Sequence, residues 1–153
     1  MAGLINDLMD KLRIMADSLE ALSDFALKKK EAILQNDVDA VKDITARENS
    51  LVGKYQKAER AAGGIMEDVA SVLNQNPGEL TLGRLGEIIK EQSDYAEFMA
   101  VYERLKNSSA ELKQRNDINN SLIESVLDYI SYTVNAIRTT QGISEEGVLD
   151  TKN

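Results

Sequence analysis

The side chains that catalysis uses most are missing from this chain. It has no His and no Cys. That removes imidazole acid–base chemistry, thiolate nucleophiles, disulfides and Cys/His zinc sites. Di-iron bundles set Glu-x-x-His motifs on facing helices, and that arrangement needs a His as well. A carboxylate-only site needs several acids turned inward, and Glu48 is the one acid on an inward helical position. Gly83 and Gly86, with Arg84 between them, make a GxxG pair. No strand precedes it, and a phosphate loop takes its meaning from the strand–turn–helix around it. No enzyme activity, metal or cofactor is expected.

The chemistry on offer is helix recognition. The stretch from Glu111 to Ile137 contains neither Pro nor Gly. Leu112, Asn116, Asn119, Ile123, Val126, Ile130, Thr133 and Ile137 recur in it at heptad spacing. The seam is apolar late and polar in the middle, where Asn116 and Asn119 fall as a register-setting layer or a bend. A long helix with an apolar stripe needs a cover. Leu122, Ile123, Val126, Leu127, Ile130 and Ile137 are the candidates for holding a partner helix in a groove or coiled coil. The same residues filling the protein's own bundle is the competing reading. Apolar surface left open invites self-association, so a homo-oligomer is a further expectation.

The elements that must position this stripe are other helices. The chain has 153 residues, 42% hydrophobic and 5% aromatic, with no Trp, one Pro and nine Gly. One domain of slender helical seams fits that composition better than a thick core. The net charge of −8 disfavours nucleic acid, whose phosphates call for a basic patch. Lys28–Lys30 is the only cationic run. The first residues carry Asp7 and Asp10 and lack the apolar core of a signal peptide. No window approaches the ~20 apolar residues of a membrane span, so a cytoplasmic location without membrane insertion is expected.

In chain order, a first helix from about Leu4 to Gln35 carries Ile5, Leu8, Leu12, Met15, Leu19, Leu22, Ala26, Lys29 and Ile33 on its seam. Asn36-Asp37 turns the chain, with Asp37 as N-cap of the next helix. So short a connection makes the two helices antiparallel neighbours. The second helix, from about Val38 to Asn74, has Val41, Ile44, Glu48, Leu51, Tyr55, Ala58, Ala62, Ile65, Val69 and Val72 inward. Lys29 and Glu48 are opposite exceptions on the two seams. They stand at different levels from the turn, so Lys29 is expected to snorkel rather than to pair. Gly63-Gly64 marks a kink, a close helix approach or a weak point. Asn76-Pro77-Gly78 is the clearest break. A short helix from Leu82 to Lys90 follows, capped by Thr81, with Leu82, Leu85, Ile88 and Ile89 on one face. The last helix runs from about Ser93 to Thr140, with Tyr95, Phe98, Tyr102, Leu105, Ser109 and Leu112 in its first half. At ~1.5 Å per residue it spans about 70 Å against about 48 Å for the first helix, so it should project. The expected fold is all-α: an elongated antiparallel three-helix bundle or coiled coil with a short extra helix and a long projecting C-terminal helix. Residues 1–141 form the helical domain. Residues 142–153 are expected to form a flexible acidic tail, in which Val148 and Leu149 are the only apolar residues after Ile143.

This order of elements resembles the FlgN-type flagellar export chaperones. The likeness rests on Leu80-Thr81-Leu82 and Leu85 after the break. It rests also on Arg115, Asn116, Asn119, Leu122, Ile123, Ser125, Val126, Leu127, Tyr129 and Ile130 in the last helix, and on the Glu48–Arg60 stretch with Glu59-Arg60. It covers roughly residues 1–140. The resemblance implies a chaperone that binds hook-associated (hook–filament junction) proteins, shields their C-terminal helices from early assembly, and delivers them to the export gate or ATPase complex of flagellar type III export. It implies that the last half of the final helix holds cargo. Family members often carry a Tyr near the C-terminus that helps dock at the gate. No aromatic follows Tyr132 here, which leaves Tyr129 and Tyr132 as the candidates. A coiled-coil adaptor without cargo, or a chaperone for another flagellar subunit, are the alternatives that helical pattern alone leaves open.

Overall fold

The computed structural model describes residues 1–140, all but the side chain of Thr140. They form four α-helices and one short 3-10 turn: α1 (Ala2–Leu34), α2 (Val38–Val72), the turn Pro77–Glu79, α3 (Leu82–Ile88) and α4 (Tyr95–Thr140). The expected all-α bundle is what the residues build. The residues assigned to a tail lie outside the described ones.

The C-terminal ends of α1 and α2 are written by Asn. Asn36 and Asn74 adopt positive φ values of 54° and 53°. Each follows the last helical turn in a Schellman arrangement, where a left-handed residue lets the next amide reach back to a free carbonyl. Asp37 N–H donates to the Ala32 carbonyl at 2.9 Å, and Gln75 N–H donates to the Ala70 carbonyl at 2.8 Å. Asp37 then opens α2, its Oδ1 accepting from Ala40 N–H at 3.0 Å. Thr81 opens α3 in the same way, accepting from Arg84 N–H at 3.1 Å.

α1, rather than the longer α4, is the central rod. It packs on α2 along one side and on α4 along the other, and no Cα of α2 comes within 8 Å of one in α4. α2 runs antiparallel to α1. α4 runs parallel to it, because the cross-links rise together: Arg13 with Glu97, Asp17 and Glu20 with Arg104, Ser23 with Arg115, Ala26 with Asn119. Being covered from two sides explains the burial of α1. Ile5, Leu8, Leu12, Met15, Leu19, Leu22, Ala26 and Ile33 are all buried.

The best-packed core occupies one end. Ile5 to Met15 of α1, Ala58 to Ala70 of α2, Leu80, Leu85 and Ile89 around α3, and Phe98 and Val101 of α4 form one contiguous cluster. Gly86 lets α3 approach α4: a Cβ there would meet Met99 Sδ at 3.0 Å and the Phe98 ring at 3.5 Å. The GxxG pair is thus a packing device. Gly63 and Gly64 are the opposite case. α2 runs unbroken through them, and a Cβ on either would meet nothing within 4 Å. They serve no close approach.

The Lys29–Glu48 expectation is overturned. Lys29 Nζ lies 2.7 Å from Glu48 Oε1, with both side chains largely covered. Glu48 stands about one turn beyond the level of Lys29, and two long side chains bridge a stagger of about 6 Å. Once both side chains are largely covered, the two charges are better paired than left apart.

Candidate partner-binding surface

Toward the α1–α2 turn the packing changes character. Here α4 is tied to α1 by polar bonds. Arg104 is gripped by Asp17 and Glu20, its Nε donating to Glu20 Oε1 at 2.9 Å. That hydrogen bond, with the guanidinium charge behind it, holds the Glu20 carboxyl below its ordinary value of 4.5, against a smaller opposing effect of burial. Arg115 Nη1 donates to Ser23 Oγ at 2.7 Å. Asn119 Nδ2 donates to the Ala26 carbonyl at 2.8 Å, in a site where Asn119 is 3% exposed. Its Oδ1 is buried without a partner. Of the two candidate polar-seam residues, Asn119 therefore enters the interface and Asn116 stays exposed.

The turn of α1 into α2 stands level with about Leu127. There Ala32, Ile33, Val38 and Val41 face Ile123, Val126 and Leu127 across an apolar groove of about 240 Å³. Beyond this level α4 continues alone to Thr140, about 20 Å at 1.5 Å per residue. The side of α4 that α1 covers lower down thus runs on without α1 beneath it.

That side is apolar. Ile123, Leu127, Ile130, Val134 and Ile137 are all exposed, with Leu127 at 58% and Ile130 at 49%. Leu122 and Val126 are half-buried against the bundle. The structure thus divides the candidates: Leu122 and Val126 line the inner wall, and Ile123, Leu127, Ile130 and Ile137 form the open stripe. Val134 belongs to that stripe and escaped the heptad reading, which followed Val126 and Thr133 one position earlier. The signal was present, since the spacing Ile123, Leu127, Ile130, Val134, Ile137 is apolar without exception. Tyr129 and Tyr132 are 69% and 72% exposed. At about 100° per residue they fall on the side of α4 away from the stripe, so stripe and tyrosines form two separate faces.

Exposed apolar surface of this extent on a helix without a cover makes this face the candidate contact surface. Among the described residues no group of three or more Asp or Glu is placed to hold a metal ion, and no helix is long and apolar enough to cross a membrane. In comparison with known proteins, the family model described as FlgN protein matches residues 1–145. Neither a curated protein nor a solved structure matches the chain.

Proposed function

The chain belongs to the FlgN family of flagellar chaperones, and on that premise we propose that it holds the C-terminal helical region of hook-associated junction proteins in the cytoplasm. Holding that region keeps the subunits from assembling early and presents them to the type III export apparatus. The protein acts by binding, without catalysis and without a cofactor.

The observation that carries this reading is the bare stripe on α4. A junction protein's terminal helix is amphipathic and coils with its own kind. The stripe from Ile123 to Ile137 offers the same apolar heptad surface, and the groove at the α1–α2 turn gives an incoming helix a second wall. In this reading Leu122, Ile123, Val126, Leu127, Ile130 and Ile137 hold cargo. Tyr129 and Tyr132, on the other face, stay free to touch the export gate while cargo is bound. Without cargo, the same stripe pairs with a second copy of the chain, and Asn119 disfavours shifted registers.

Isothermal titration against the C-terminal segment of the organism's junction protein tests the reading. Saturable one-to-one binding that is lost in Leu127→Asp supports it. Absence of heat and of co-elution at micromolar concentration removes the junction protein as cargo. The same titration with filament or cap subunits then decides whether another subunit takes its place or the protein is an adaptor.

A further inference from the structure

A second surface lies on the other half of the molecule. Between α1 and α2, on the side turned from α4, Lys11, Ile14, Lys54, Lys57, Ala58 and Ala61 line a notch of about 290 Å³. Its floor is apolar: Ala58 is buried and Ile14 and Ala61 are half-buried. Its rim is cationic. Lys54 and Lys57 stand three residues apart on one face of α2, and Lys11 faces them from α1. None of the three makes an ion pair or a hydrogen bond among the described residues. Of the four other cations on α1, Arg13 is answered by Asp10 and Glu97 and Lys29 by Glu48, and Lys28 lies over the Phe25 ring. Three like charges gathered without a carboxylate, in a chain of net −8, raise the local potential against the sign of the whole molecule.

We propose that this notch docks an acidic segment of another protein, one in which carboxylates bracket a single small or branched apolar side chain. The apolar residue sits on Ile14, Ala58 and Ala61, and the flanking carboxylates meet Lys11, Lys54 and Lys57. The volume stands at the lower limit of the roughly 300–1,000 Å³ typical of small-molecule sites, and the floor of Ile14, Ala58 and Ala61 between lysines suits one apolar side chain of an acidic peptide. The acids that follow Thr140 in the sequence are out of reach. Glu145, Glu146 and Asp150 lie at most ten residues past Thr140, about 36 Å fully extended. The notch, level with Glu97 through the Arg13 contact, is about 65 Å from Thr140 along α4. It is also about 28 Å along α1 from the groove at the turn. A partner here leaves the α4 stripe free, and the proposal stands whichever subunit that stripe holds.

The test uses the full chain, labelled with nitrogen-15, and the end-capped pentapeptides EELEE and QQLQQ at millimolar concentration. EELEE should shift the amides of residues 11–14 and 54–61, and QQLQQ should leave them unmoved. Lys54→Gln/Lys57→Gln alters only exposed side chains, so its far-UV spectrum should match the parent while EELEE binds at least about tenfold more weakly. Raising the salt should weaken the parent's response in the same direction. Equal shifts from both peptides, no shifts at millimolar EELEE, or shifts indifferent to the double substitution each overturn the proposal. Shifts at these amides that grow with protein concentration in the absence of peptide would assign the notch to a second copy, and overturn it as well.

Discussion

Lys29 and Glu48 show how far single side chains set this structure. Each breaks an apolar seam, and each answers the other at 2.7 Å. Removing one partner leaves the other charge half-buried and alone, whereas removing both leaves an apolar contact. Lys29→Met should therefore cost about 1–2 kcal/mol, less than a fully buried pair would lose. Lys29→Met/Glu48→Leu should return close to the parent in urea unfolding. Asn119 poses the same question with a different answer. It makes one bond to Ala26 and leaves Oδ1 unpaired in the interface. Asn119→Leu removes that unpaired acceptor, and the Ala26 carbonyl keeps its place in the α1 ladder. The variant should be up to about 1 kcal/mol more stable, and a lower urea midpoint would contradict this. Glu20 supplies the acid dependence. Its folded carboxyl value is depressed from 4.5 by the hydrogen bond from Arg104. The Arg104 link therefore contributes above that value and is lost as pH falls below it through the folded value. Because Glu20 is solvated, the effect should be small, visible as a shallower loss of stability on acidification in Arg104→Met than in the parent.

Elements follow the sequence where one rule decides them. The α1 seam was legible because α1 is covered on two sides, so nearly every apolar heptad position is buried. The caps Asp37 and Thr81 were legible because each needs only a short side chain next to free amides. The rest depended on what stands opposite. Val72 is exposed although it continues the α2 seam, because Ala70 and Leu73 turn inward at that end instead. Ser109 yields its place to Ser108 for the same reason. The ends of α1 and α2 were legible at Asn36 and Asn74, though not the left-handed conformation by which each residue makes its end. Of the three readings of Gly63-Gly64, a kink, a close approach or a weak point, the unbroken α2 and the open space at both leave the weak point. Gly63→Ala and Gly64→Ala should thus each stabilise by about 1 kcal/mol, measured as raised urea midpoints. α4 divides at about Leu105. Its first part joins the apolar core, and its later part leans on α1 through Arg115 and Asn119. Amides in its later part should exchange with deuterium well before those around Phe98.

At the scale of the whole molecule, one end is closely packed and the other leaves an apolar helix face open. The core cluster around Leu8, Val69, Leu85 and Phe98 locks four helices. From there α4 carries its apolar stripe past the α1–α2 turn. The open stripe was legible in part: the heptad spacing marked the stretch, and Ile123, Leu127, Ile130 and Ile137 in it are exposed. Which residues lie inward was not legible. That depends on where α1 ends relative to α4, a distance fixed by packing at the far end of the bundle. The lysine notch was illegible for a related reason, since Lys11 comes from one helix and Lys54 and Lys57 from another.

The central claim is that the α4 stripe holds a partner rather than serving the bundle. Calorimetric titration of the parent and of Leu127→Asp against the junction protein's C-terminal segment, with far-UV spectra and melting of both proteins, tests it most directly. Leu127 is mostly exposed, so the variant should keep the parent's helicity and melting temperature while saturable binding disappears. A variant that melts early, or that binds as tightly as the parent, would contradict the account.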